Sequence, residues 1–117
     1  MSAPNIVNVT TITGKTAVQQ IGTSATAIVA NGAGSNKVIK VNALYVSNVD
    51  GTNPANLDVD LYRSSTPYRL ASTIAVPADS SLDVISKAIY LEEGDELRLT
   101  ASATGDLEAV CSYEEIS

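Results

Sequence analysis

Residues 48–62 read NVDGTNPANLDVDLY, three aspartates and three asparagines set around one glycine and one proline. Two readings compete, a calcium loop and a connection leading into a β-strand. An EF-hand loop needs oxygen ligands at positions 1, 3, 5 and 12 and glycine at position 6. Here Gly51 directly follows Asp50, so the spacing fails. The strand reading succeeds: Leu57, Val59 and Leu61 alternate with Asp58, Asp60 and Tyr62, which places the leucines and valine on a core face and both aspartates outward. Asp58 and Asp60, together with Asp50 or a neighbouring subunit, could hold a cation weakly. The ligand count is too low to prefer that over solubilising charge, and neither a metal site nor a cofactor is expected.

The same period recurs along the chain. Residues 37–49 (KVIKVNALYVSNV) carry apolar side chains on both parities, Ile39, Val41, Ala43 and Tyr45 against Val38, Leu44 and Val46, so one face is expected on the core and the other against a neighbour. Residues 68–76 alternate with Leu70, Ile74 and Val76 inward. After a turn at residues 77–81, residues 82–91 form a long β segment whose apolar parity changes near Ser86, the mark of a bulge or of a strand covered on both sides. LEEGDELRLTA then gives the strongest hairpin signal, at Gly94-Asp95. Residues 107–113 supply the last strand. Upstream, residues 6–13 are expected as a first strand ending in a turn at Gly14, followed by short strands at 17–21 and 25–30 and a glycine loop at 31–36.

Composition agrees. The chain has 117 residues, enough for one domain with a real core, and its aromatics are five tyrosines with neither Phe nor Trp. The expected fold is all-β: a two-sheet antiparallel sandwich, jelly-roll-like, of eight or nine strands, with an open or partly closed barrel as the alternative. Residues 1–5 are expected as an extended arm and residues 6–117 as the single domain. Pro4 favours extended backbone, and the β-branched run after it lacks a partner of its own. Pro4, Ile6, Val7, Val9 and Ile12 are therefore the expected assembly contacts.

Charge and residue inventory exclude several functions. Seven basic residues against 13 acidic give a formal net charge of −6, which opposes binding to nucleic acid or anionic membranes. There is no apolar run long enough to span a bilayer and no secretion signal, so synthesis in a cytosol is expected. The chain contains no histidine, the commonest general base, and Cys111 is its one cysteine. On strand parity Cys111 falls with Leu107, Ala109 and Tyr113, as a small core residue and not a nucleophile. Thr13-Gly14-Lys15-Thr16 has the ending of a phosphate-binding loop, but Val9 stands where that motif needs its first glycine. Glu92, Glu93, Asp95 and Glu96 crowd a turn tip, where solvated acids have ordinary acidity. No enzyme is expected.

Two resemblances add to this reading. The turn LEEGDELRL resembles one in trimeric jelly rolls of the complement C1q and tumour necrosis factor kind. Along the whole chain, MSAPNIVNVTTITGKT, LYVSNVDGTN, STIAVPAD, VISK, IYLEEGD and CSYEEIS are similar to small virion structural proteins of tailed phages infecting marine cyanobacteria. That second resemblance implies a particle component with no catalytic residues. The expectation is a capsid decoration, or cement, protein that is made in the bacterial cytoplasm and located in the virion. It would assemble as a homo-oligomer, with a trimer favoured, against the major capsid protein or other virion proteins. A neck, tail or baseplate component is the alternative. A carbohydrate- or receptor-binding fibre module is disfavoured by the absence of tryptophan.

Overall fold

The computed structural model describes residues 8–117, in which nine strands follow one another: β1 (Ile12–Gln20), β2 (Thr26–Ala30), β3 (Val38–Asn48), β4 (Ala55–Arg63), β5 (Thr66–Val76), β6 (Ser81–Asp83), β7 (Ile89–Leu91), β8 (Glu96–Ala101) and β9 (Leu107–Ile116). One sheet has the order β1-β9-β3-β6, with β7 also paired to β3; the other has the order β2-β8-β4-β5, and every pairing is antiparallel. β6 lies against Tyr45–Ser47 and β7 against Ile39–Val41, so the two are halves of one interrupted edge strand. With that pair counted once, each sheet has four strand positions. The chain crosses between the sheets at nearly every connection, which is a jelly-roll sandwich.

The core is the seam between the sheets. Val41, Leu44 and Val46 of β3 and Leu107, Ala109 and Cys111 of β9 meet Leu57 and Val59 of β4 and Leu97 and Leu99 of β8, all buried. Aliphatic side chains of this size fill the gap between sheets about 10 Å apart without aromatic bulk.

Several expectations need correction. Of the first strand expected at residues 6–13, residues 6 and 7 lie outside the described residues and residues 8–11 are not strand: β1 begins at Ile12, and the expected turn at Gly14 lies inside it, Gly14 being paired with Glu114. The expected strand at residues 17–21 is the end of this same β1. Val38 is buried on the parity opposite to Ile39 and Val41, whereas Leu44 and Val46 reach the core by a change of register. A register shift between Val41 and Ala43 reverses the alternation, so Ile39, Val41, Leu44 and Val46 all face the core while Tyr45 faces out. In β5 two register shifts do the same, burying Ala71 and leaving Leu70 exposed where it was expected inward. Residues 82–91 are not one strand, because the chain leaves the sheet between β6 and β7. Gly94-Asp95 is not the tip of a hairpin: β7 pairs with β3 and β8 with β2 and β4, so the turn carries the chain from one sheet to the other. Its positive backbone angle is present, with φ of 90° at Gly94.

Candidate functional site

On β9 the odd residues point inward, which puts Val110 on the outer face of its sheet. Register places Val18 of β1 beside it on one side and Tyr45 of β3 on the other. The three form a row across the sheet, with Val18 75%, Val110 42% and Tyr45 49% exposed. The next row is Thr16, Ser112 and Ala43, small and uncharged. Together they make a low apolar surface, bordered by a shallow groove along Val18, Gln20, Glu108 and Val110. The signal was present in the sequence: Val110 breaks the parity of Leu107, Ala109 and Cys111, and Val18 that of Ala17 and Gln19.

The opposite sheet presents a polar outer face. Asp60 lies between Arg69 of β5 and Arg98 of β8 in register, and it is buried, contrary to its expected place on a solvated face. Arg69 Nη1 approaches Asp60 Oδ1 to 3.2 Å and Asp58 Oδ2 to 3.4 Å. Oδ1 of Asp60 has no directed hydrogen bond, so charge attraction holds the Asp60 contact. Arg98 donates to Glu96 Oε1 at 2.8 Å and stacks 3.4 Å above the centre of the Tyr62 ring. These charges neutralise one another in place.

The acidic turn also departs from the solvated reading. Asp95 is buried and receives Arg63 through two bonds, Nε to Oδ1 at 2.8 Å and Nη2 to Oδ2 at 2.6 Å, with the Glu92 amide donating to Oδ2 at 2.8 Å. Burial pushes the Asp95 carboxyl up, but the Arg63 hydrogen bonds, the Glu92 amide and the Arg63 charge outweigh it and hold the group below its ordinary value. Buried Asn31 completes a latch at this end of the sandwich: its amide donates to the Asp95 carbonyl, its side chain donates to the carbonyls of Leu91 and Lys37, and its own carbonyl accepts from Gly94. This arrangement fixes the turn between β7 and β8.

Asp50 caps its own loop by accepting from the amides of Thr52 (2.8 Å) and Asn53 (3.3 Å), which lowers its pKa. Asp58 accepts from the Thr73 amide at 2.6 Å. Asp50, Asp58 and Asp60 therefore each have a protein partner, and no group of three or more His, Cys, Asp or Glu able to hold a metal ion occurs among the described residues. Cys111 is fully buried, and that burial pushes its thiol pKa up to about 11. Of the expected assembly contacts, Val9 is half-buried and Ile12 is 56% exposed. Pro4, Ile6 and Val7, with the arm at residues 1–5, lie outside the described residues.

No family model matches the chain, and no curated protein matches it. Among solved structures it is similar to a chain from Bacillus described under "Bacillus endospore appendages form a novel family of disulfide-linked pili", with 16% sequence identity and a TM-score of 0.53 over 90% of this chain and 85% of that one. At that identity the likeness is one of fold.

Proposed function

We propose that this protein is a non-enzymatic structural component of a tailed-phage particle, a decoration protein seated on the capsid shell and assembling with copies of itself and with the major capsid protein. The observation that carries the reading is the outer face of the β1-β9-β3 sheet. Val18, Val110 and Tyr45 expose a contiguous apolar row, bordered on one side by the small uncharged Thr16, Ser112 and Ala43 and on the other by Gln20, Glu108 and Ser47, while Asp60 of the opposite sheet and Asp95 of the acidic turn are held by arginines. A surface of this kind is suited to being covered by another protein. The similarity of the chain to cyanophage virion proteins supplies the particle, and the likeness to trimeric jelly rolls suggests three copies. A neck, tail or baseplate position is the alternative, since an acidic surface does not hold passing DNA.

The pilus structure supports the more general point that a jelly roll of this size can be an assembly unit. Its disulfide linkage does not carry over, because Cys111 is sealed in the core.

Peptide mass spectrometry of purified particles, with binding of the purified chain to particles lacking it, tests the proposal. The chain should be present in many copies and should rebind, and Val110→Lys should abolish rebinding while the domain stays folded. Absence from particles would overturn the reading.

A further inference from the structure

Sheet edges expose unpaired backbone groups and are usually blunted by bulges, prolines, short length or covering side chains. Three of the four edges here are blunted. β5 contains Pro67, two register shifts and a positive φ at Thr73. β2 has only five residues, a register shift, and a carbonyl at Ala27 already bonded by the Gln19 side chain at 3.0 Å. β6 and β7 have three residues each. The fourth edge, β1, is nine residues long, pairs with β9 without a single register shift, and contains neither proline nor acid.

Register shows which backbone groups β1 leaves open. Thr11 and Ser117 exchange both N–H···O bonds, each 2.9 Å, and the Ile21 amide donates to the Leu107 carbonyl at 2.9 Å. In an antiparallel pair such bonded positions alternate with positions that face away. The odd residues of β1 therefore bond β9, and Ile12, Gly14, Thr16, Val18 and Gln20 turn their N–H and C=O groups to the free edge. All of these residues are exposed, and among the described residues no strand pairs with that side.

We infer that this edge pairs with β1 of a second copy, antiparallel about a two-fold axis at Thr16, so that the two sheets become one. The occupant is the same chain because the other described edges are unfit to receive it, and a strand that pairs with itself gives a closed, isologous dimer. With Thr16 opposite Thr16, Gly14 lies opposite Val18 and Ile12 opposite Gln20. Every free N–H and C=O between Ile12 and Gln20 then has a partner. A cross-strand threonine pair is favourable, and Val18 settles over a glycine around which a side chain would find open space. Lys15, the one charge on β1, falls opposite Ala17 and keeps its own Glu115 at 3.1 Å, so no like charges meet. A slip of two residues would set Val18 against Ile12 and leave one end unpaired. The pair forms whether or not the protein belongs to a particle, and it joins copies in twos, in place of the three copies that the jelly-roll likeness suggests.

Sedimentation velocity on the full chain tests the inference. The wild type should sediment as a dimer. Thr16→Pro, which removes an amide hydrogen pointing away from β9, and Val18→Lys should each halve the sedimenting mass with a cooperative melt retained. Thr16→Cys should cross-link to itself on oxidation, since paired strand positions fall within disulfide reach and Cys111 is inaccessible. Gln20→Cys should not, its two copies lying about 27 Å apart along the strands. A monomeric or trimeric wild type, dimers that persist in both Thr16→Pro and Val18→Lys, or cross-linking through Gln20→Cys would each overturn it.

Discussion

Replacing Arg63 with alanine strips the Asp95 carboxylate of two of its three side-chain hydrogen bonds and leaves it in the core wall with the Glu92 amide alone. Hydrogen bonds to charged groups contribute about 1.5–3 kcal/mol each, and breaking a fully buried ion pair costs about 3–5 kcal/mol. The Arg63 side chain is 42% exposed, so solvent screens part of this. The expected loss is about 2–3 kcal/mol at neutral pH, read as a lower urea midpoint with unchanged slope. The loss should depend on pH. With Arg63 present the folded Asp95 pKa lies below its unfolded value, so the stability it contributes is present above the ordinary carboxylate range and disappears as pH falls through the folded pKa. Without Arg63, burial raises that pKa and Asp95 protonates readily. The difference between the two proteins should therefore shrink below about pH 4. Glu92→Ala, whose side chain is 69% exposed, should change stability by less than about 0.5 kcal/mol. A loss from Arg63→Ala that is equal at pH 7 and pH 3 would show that the arginine acts by packing, and would refute the electrostatic account.

Gly94→Val should destabilise by about 1–3 kcal/mol, because φ is 90° there and the surrounding space is open, so the cost is conformational. Gly94→Asn should recover part of it in the same thermal melts, and equal losses would argue for a different cause. Native Cys111 should resist a thiol reagent that labels it at once in denaturant, and Cys111→Ser should cost about 1–3 kcal/mol; rapid native labelling would contradict its burial. Thermal unfolding should be the same with chelator as with calcium, since Asp50, Asp58 and Asp60 each have protein partners. A stabilisation near 2.7 kcal/mol at a hundredfold excess over the dissociation constant would reveal a site.

Strict alternation made the centre of the fold legible. Leu57 and Val59, and Leu107, Ala109 and Cys111, are read inward from sequence and are buried. The departures occur where alternation is interrupted by something the local sequence does not mark. No glycine or proline announces the bulges at Asn42 or at Leu70 and Thr73; the last is held by Asp58, fifteen residues earlier, whose carboxylate accepts the Thr73 amide. β1 was misplaced because the run at residues 6–13 is β-branched on both parities apart from Asn8, and the span of β1 is set by β9, almost a hundred residues away. Burial of Asp60 and Asp95 depends on Arg69 and Arg63, partners that pairing and turns deliver from outside the local pattern. The exposed row of Val18, Val110 and Tyr45 was readable in two of its members as parity violations, but the row itself needs the register of three strands.

Electron cryo-microscopy of the intact particle bears most directly on the central claim that this jelly roll is an assembly unit of a virion. The account predicts repeated density for the domain on the outer capsid surface, with the face bearing Val18, Val110 and Tyr45 covered by a neighbouring protein. Particles whose density is fully accounted for by other chains, or a domain held with that face bare to solvent, would contradict it.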